Sequence, residues 1–478
     1  MPIIGKATFQ EVRFAAIESM RGRDYSPTAT RAKRIAKHAA MIPVSVVEGM
    51  LASIGMLIIV KQLPMFFGYT GKVHAHEFYQ FVMEAPSFAL GMNSPVFAVS
   101  VCSLVVLFAL GSLKRVKWLA IVPPQLLAVI FGAILGRVFA LKDLGPGYLI
   151  SLPADAFHGF KLPDFAGLFA NGNLWYAAGL AVVTLTMIDG VESLATAMAI
   201  DRLDPYHRKS EPNRLLLAMG VCNIASSLVG GLTIIPGGVK SKANIASGGR
   251  TLWANFTNAI CLILYLWIGR EIINTIPKGV LAAVLIYTGW KMCEPLVWKH
   301  IAHIGKTQLF IFAFTIVCTL ATDLLLGIVA GTIAKFVVNV VLYRRALSTA
   351  ADAETDSSIL SMMKSFFSSP VARREVIGTE YHVYVERPLV CFNLAKFGQE
   401  FDILPEGTTE VFIHLERHVG LIDHTSFENV DHVTRDLSHR GIPVTLVGLE
   451  RMRRMSEYHA SMHVLAPARA TPIAPQPA

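Results

Sequence analysis

Residues 230–251 read GGLTIIPGGVKSKANIASGGRT, and this stretch decides the kind of fold the chain builds. It opens on a Gly/Pro-broken start and carries two lysines, Lys240 and Lys242, yet long apolar runs flank it on both sides. A bilayer core has no water to satisfy loose backbone groups or bare ammonium charges. A broken, lysine-bearing segment at that depth therefore needs a counterpart. An anion fits: a short helix starting after the break aims its N–H groups and positive dipole end at one.

Composition agrees with a membrane setting. The 478 residues are 53% hydrophobic and only 16% charged, with a mean hydropathy of +0.50. Such values describe a polytopic membrane protein and exclude an ordinary soluble globule. The formal charge of +9 gathers in the N-terminal stretch, between apolar runs and in the C-terminal third. Charge placed that way reports topology and lipid headgroups rather than nucleic acid. The six cysteines (Cys102, Cys222, Cys261, Cys293, Cys318, Cys391) have no CxxC spacing and read as buried thiols, with neither a disulfide framework nor a zinc site.

Residues 1–42 lack the apolar core of a signal peptide, and Arg31, Lys33, Arg34 and Lys37 make them a basic cytoplasmic flank. Apolar runs follow at about 43–63, 96–113, 118–141, 174–200, 214–234, 252–269, 275–292, 307–322 and 323–345. Each is long enough, or nearly so, to span the roughly 20 residues a bilayer requires. Residues 237–248 make one further, shorter element. Basic loops at 114–117, 202–214 and 344–345 predict one cytoplasmic face, whereas 64–95 reads as a loop on the other side with one lysine, Lys72.

After Arg345 the character changes. Residues 346–372, rich in Ser, Ala and Asp, read as a linker. Residues 373–460 read as a small α/β domain. TEYHVYVERPLVCFNL, TTEVFIHLE and IPVTLVGL have strand composition, and SFENVDHVTRDLSHRG has helical spacing ending at Gly441. Asp423 is placed to cap that helix. The tail, 461–478, is Pro/Ala-rich and reads as disordered.

Four ordered stretches of the membrane part carry a resemblance: IPVSVVEGMLASIGMLIIVKQLP (42–64), IDGVESLATAMAIDRLDP (188–205), PNRLLLAMGVCNIASSLVGGL (212–232) and VKSKANIASGGRT (239–251). LVCFNLAKF and GLIDHTSFENV continue it in the tail. The chain resembles the sulfate permease (SulP) family of anion transporters, whose members often end in a cytoplasmic STAS domain. The resemblance implies an α-helical polytopic fold, a partial seven-plus-seven inverted repeat, with a C-terminal α/β STAS-like domain. It aligns the first strong span at 43 with the family's fifth helix. The chain is then expected to hold one of the two half-helices that enclose the anion, and residues 1–478 alone are expected not to catalyse robust uptake.

The resemblance also nominates residues. Lys240 falls where the family commonly has arginine and would form a positive wall for the anion, with Ser241 and Asn244 as hydroxyl and amide contacts. A snorkelling role for Lys240 and helix packing for the other two are the alternatives. Lys242 stands where a small residue is expected and would put an internal charge in the site. Glu192 matches an acidic position beside the anion, and Thr196 a position that helps hold sodium in some members. Asp189, Glu192 and Thr196 share one helix face by their spacing of three and four. Coupling to H⁺ or Na⁺ is the reading for Glu192 and Thr196; a structural hydrogen bond or ion pair is the alternative, and the preferred one for Asp189. Thr425 occupies a position that is phosphorylated in related soluble domains, though a plain capping turn explains the Asp423–Thr425 stretch more simply.

No nucleotide loop, catalytic triad or metal-ligand set is visible, so an enzyme is not expected and no cofactor is called for beyond Na⁺ as coupling ion. The expected partners are an inorganic anion, membrane lipid and a second copy of the chain, in a bacterial inner membrane with the STAS-like domain in the cytoplasm. Two functions stay open: secondary transport of bicarbonate, sulfate or a similar oxyanion, and a non-transporting relative that serves as partner subunit or STAS scaffold. A nucleobase permease is disfavoured by the STAS-like tail and the two lysines.

Overall fold

The computed structural model of the chain describes residues 43–466 apart from 76, 113–122, 146, 153–171, 350–358, 402–403 and scattered positions within 202–209 and 238–247. The expectations for 1–42, for the basic loop at 114–117, for Lys242 and for most of the tail lie outside the described residues. The chain forms two compact units: residues 51–294 with 320–325, and residues 43–50, 295–319 and 326–466.

The first unit is helical. The helices are α1 (Val44–Phe67), α2 (Phe78–Leu90), α3 (Ser94–Ser112), α4 (Pro124–Val138), α5 (Gly172–Asp201), α6 (Pro212–Leu228), α7 (Trp253–Ile268), α8 (Arg270–Asn274) and α9 (Lys278–Cys293). Apolar composition all round the helix, rather than an amphipathic stripe, suits helices that meet lipid on one side and one another on the other. Helices α3, α4 and α9 pack together around Val96, Val99, Leu141 and Val280. Their contacts are made at small residues: a Cβ on Gly132 would collide with Val280, and one on Gly279 with the Ser100 hydroxyl. Close backbone approach is how helices associate where no hydrophobic effect drives them together. Helices α1 and α9 meet more tightly still, backbone to backbone at Gly55 and Gly289. Five described helices are long and apolar enough to cross a membrane, the last being Leu324–Ser348.

Residues 64–95, read from sequence as a loop, contain α2. Its amino end is closed by a capping box in which Glu77 and Gln80 exchange side-chain and backbone bonds. Phe81 and Phe88 bury against Val60, Leu63 and Phe67 of α1.

The second unit joins helices to a mixed sheet. It contains the start of α1, then α10 (Pro295–Ile304), most of α11 (Lys306–Ala321) and of α12 (Leu324–Thr349), and α13 (Ile359–Phe367). The sheet part has β1 (Val371–Ile377), β2 (Glu380–Val385), α14 (Leu394–Gly398), β3 (Glu410–Leu415), β4 (Leu421–Ile422), α15 (His424–His439), β5 (Val444–Val447), β6 (Met452–Arg454) and β7 (His463–Leu465). The stretch 346–372 is therefore not a plain linker: α12 runs into it and α13 occupies its second half. Burial of Met362 and Phe366 stabilises α13 despite a Ser-rich composition. Strand β7 likewise extends the ordered chain past 460.

The main sheet has the order β1-β2-β3-β5. A two-residue turn with Gly378 at φ +62 links β1 to its antiparallel partner β2; β2, β3 and β5 are parallel. Alternation sends Val383, Val385, Val411 and Ile413 into a core with Phe397, Val430 and Leu437. On the opposite face His382 stacks on Phe412 at 4.8 Å and Tyr384 on His414 at 4.5 Å. Helix α15 is stopped at both ends by its own sequence. Asp423 accepts the Ser426 N–H at 2.8 Å as N-cap. Gly441, at φ +82, allows Ile442 N–H to reach Leu437 C=O at 2.9 Å while Gly441 N–H reaches Ser438 C=O at 3.0 Å. That pair of bonds is a Schellman closure.

His424, the first residue of α15, is buried. Its Nδ1 lies 2.6 Å from the Ala460 carbonyl, which can only accept, so Nδ1 carries the proton and Nε2 faces Glu428 at 3.8 Å. Burial holds the ring below the ordinary histidine range; the Glu428 carboxylate offsets this in part. A histidine lowered in the fold contributes fully above its unfolded value, about 6.5, and costs stability as pH falls below it. The melting temperature of the α/β part, followed by circular dichroism on the full chain, is expected to drop from pH 7 to 5.5. His424→Gln should flatten that slope; an identical slope in the variant would remove His424 as its source.

Candidate functional site

The broken stretch that opened the sequence reading is strapped to the helix before it. Helix α6 ends at Leu228, and Gly230, at φ +74, turns the chain so that Gly231 N–H closes on Ser226 C=O at 2.7 Å. Residues 231–237 then run without regular secondary structure. Asn223 holds them in register: its Oδ1 accepts the Ile234 N–H at 2.5 Å and its Nδ2 donates to the Ile234 carbonyl at 3.4 Å. Ser226 Oγ donates to Leu232 C=O at 2.8 Å, and Ile234 is buried. An amide side chain satisfying both backbone groups of one residue is what a non-helical segment needs where water is scarce. Asn223 is the residue the sequence reading missed, although it sits inside one of the quoted motifs.

Helical structure resumes after Pro236. Ser241 N–H bonds to Gly237 C=O at 2.9 Å, and the turn ends where Gly249 N–H meets Asn244 C=O at 2.9 Å, with Gly248 at φ +79. Lys240 is exposed and its stem lies against Gly237; Ser241 is half-buried; Asn244 is exposed, its amide turned back on Gly249. The three thus share one short helical stretch. Glu192 and Thr196 are half-buried one turn apart on α5, and Asp189 on the preceding turn is buried. Ser193 donates its hydroxyl to the Asp189 carbonyl. Helices α5 and α6 pack against each other, so the acidic face and the strapped segment belong to neighbouring elements. Thr425 lies in the second unit, buried, with its Oγ1 3.4 Å from the Val44 N–H.

The loop between α5 and α6 clamps the far end of the same segment. Arg208 grips Asp204 with Nε at 2.8 Å and a terminal nitrogen at 3.0 Å, and donates to the Arg250 carbonyl at 3.2 Å. The guanidinium groups of Arg208 and Arg250 lie over the Tyr206 ring at 5.1 and 5.9 Å. The Arg208 hydrogen bond holds the Asp204 carboxyl below its ordinary range, against the effect of burial. Ser210 adds two bonds to Asp201, at 2.8 and 2.7 Å. Both ends of residues 230–250 are therefore tied, one by Asn223 and Ser226, the other by Arg208. A Gly/Pro-broken segment pinned at both ends presents its helical start in a fixed place, which is the requirement for recognising a small ion.

Comparison with known proteins identifies the family. The model of the sulfate permease family matches residues 32–315, more than half of the chain. YvdB of Bacillus subtilis, which carries a sulfate-transporter name, is 24% identical over 310 residues, 64% of this chain and 55% of that protein. The bicarbonate transporter BicA of Synechocystis is 23% identical over 87% of this chain and 70% of its own length. The chain thus spans 55% and 70% of the lengths of these two relatives. Among solved structures, the murine Slc26a9 anion transporter in its inward-facing state is similar with a TM-score of 0.52 at 13% identity, over 93% of this chain and 68% of that one. That likeness concerns the fold alone. The apolar helices, the pinned break between two of them and the family match lead to one conclusion: the chain is a multi-pass membrane protein that belongs to the sulfate permease family.

Proposed function

We propose that the chain takes part in secondary transport of an inorganic oxyanion of the bicarbonate or sulfate class, with Lys240, Ser241 and Asn244 on the anion side and Glu192 and Thr196 on the coupling side. The single observation carrying this reading is the double pinning of residues 230–250, tied at one end to Asn223 and at the other to Arg208, with a lysine-bearing helical start between the two ties. Helix N–H groups and an ammonium suit an oxyanion and provide no recognition of a nucleobase. Glu192 supplies the coupling logic. An ionised carboxylate near an anion is repulsive in a low-dielectric setting, and a proton or Na⁺ arriving with the anion relieves that repulsion. In this reading the protein works as a homodimer in a bacterial inner membrane with its α/β part, a STAS-like domain, in the cytoplasm. The second function, a partner subunit or scaffold, is favoured by the extent of bonding between the α/β part and the helices of its own unit.

Uptake of labelled bicarbonate and of sulfate into proteoliposomes separates the two. In a full-length form that transports, Lys240→Ala is expected to raise the half-saturating anion concentration about tenfold or more, roughly 1.4 kcal/mol, through loss of a positive charge. Glu192→Gln is expected to abolish the dependence on pH or Na⁺. Unchanged uptake and unchanged ion dependence in both variants would remove these residues from the mechanism. No uptake in any variant, with both anions and both ion gradients, would favour the scaffold.

A further inference from the structure

We infer that Asp423 is the counter-charge of Lys335, and that this pair makes the seating of the α/β part on α12 a charge-coupled lock. Helix α12 is apolar enough to span a membrane, yet Lys335, eleven residues into it, has an exposure of 0%. Its ammonium lies 3.7 Å from Asp423 Oδ2, and Asp423 is itself fully buried. No hydrogen-bond acceptor serves the Lys335 Nζ among the described residues, so the carboxylate is its compensation.

Asp423 is built to hold its charge. Oδ1 accepts the Ser426 N–H at 2.8 Å; Oδ2 accepts the Cys391 N–H at 3.0 Å and the Asn339 amide at 3.1 Å. Burial alone would raise the carboxyl, but Lys335 and the N–H groups of Cys391 and Ser426 outweigh it and keep Asp423 below the ordinary carboxylate range. Asn339 stands one turn after Lys335, so both donors project from the same face of α12. Tyr343 continues that face; with Phe336 and Val340 alongside, it packs on Phe366, Val390, Phe392, Leu421 and Met462. The stretch of α12 from Lys335 to Tyr343 is thus the seat of the α/β part, and its one ammonium is matched to one carboxylate there.

The chemistry predicts an asymmetry. Deleting one member of a buried pair leaves an uncompensated charge, whereas deleting both leaves an apolar or neutral contact. Asp423 also caps α15, but Asn caps as well as Asp. Asp423→Asn therefore removes the charge and keeps the cap.

Hydrogen exchange of the full chain in nanodiscs, read by mass spectrometry over peptides 333–345 and 421–430, tests the lock. Asp423→Asn is expected to speed exchange in both peptides at least tenfold. Lys335→Met with Asp423→Asn should return it to within threefold of the parent. A double variant as fast as Asp423→Asn alone, or an Asp423→Asn chain that exchanges like the parent, overturns the lock. Lys335→Met alone gives a reading that does not depend on recovering Asp423→Asn. Without the ammonium the Asp423 carboxyl rises toward its ordinary range, so acid loosening of peptide 421–430 should begin at higher pH. An unmoved pH profile overturns the proposal equally.

Discussion

Gly55→Leu is expected to abolish recovery of folded protein. A Cβ on Gly55 would sit 2.5 Å from the Gly289 carbonyl oxygen and 2.9 Å from Met292 Cβ. The contact is reciprocal: a Cβ on Gly289 would sit 2.6 Å from the Gly55 carbonyl oxygen and 3.0 Å from Ile59 Cγ1. Comfortable approach of carbon atoms is about 3.5–4.0 Å, so a leucine forces α1 and α9 apart by more than either rotamer or rotation can absorb. In lipid, separated helices regain no hydrophobic driving force, and association rests on the van der Waals contact that the leucine removes. Gly55→Ala should give a reduced yield. Gly220→Ala, on α6 with nothing within 4 Å of the added Cβ, should behave as the parent. Size-exclusion chromatography of fluorescent fusions reads all three. A monodisperse Gly55→Leu protein at parental yield would show that the two backbones do not meet as described.

What the sequence revealed, and what it hid, follows from how local each signal was. Span positions were legible because lipid demands a long apolar run: 174–200 and 252–269 correspond to Gly172–Asp201 and Trp253–Ile268. The cap at Asp423 and the stop at Gly441 were legible because each is a short-range bond. Helices α2 and α13 were missed for one reason. At 13 and 9 residues they are too short to register as spans, and their stability comes from burying Phe88 and Phe366 against distant residues. The capping box at Glu77 and Gln80 was the signal that could have revealed α2. In the site, the break at 230–240 announced itself through Gly, Pro and Lys. Asn223 did not, because its meaning depends on a non-helical segment returning to it eleven residues later. The role of Lys335 is not legible in the sequence either, since its partner lies 88 residues away in a different element.

Phe366→Ala is expected to unseat α13 and destabilise the whole α/β part. Phe366 has an exposure of 0% and meets two rings of α12, Phe336 at 5.9 Å and Tyr343 at 5.7 Å. The same cluster contains Val390, Phe392, Leu421 and Met462 from the sheet side. Truncating a fully buried phenylalanine removes transfer energy and leaves a cavity, together about 3–5 kcal/mol. A domain of this size has roughly 5–15 kcal/mol in total, so the loss is a large fraction of it. At about 4–8 °C per kcal/mol for a domain near 100 residues, the melting transition should fall by at least roughly 12 °C. Phe367 is the control. It stacks on Phe336 at 5.9 Å and approaches Phe392 at 5.6 Å, but it is 45% exposed. Its replacement by alanine leaves no sealed cavity and should shift the transition by less than half as much. Because Phe366 carries no charge, its loss should be insensitive to salt and pH, unlike substitutions at Lys335 or Asp423. Equal shifts for Phe366→Ala and Phe367→Ala in thermal unfolding of the full chain would mean that the aromatic seat is open to solvent and that α13 is not part of what holds the α/β part in place.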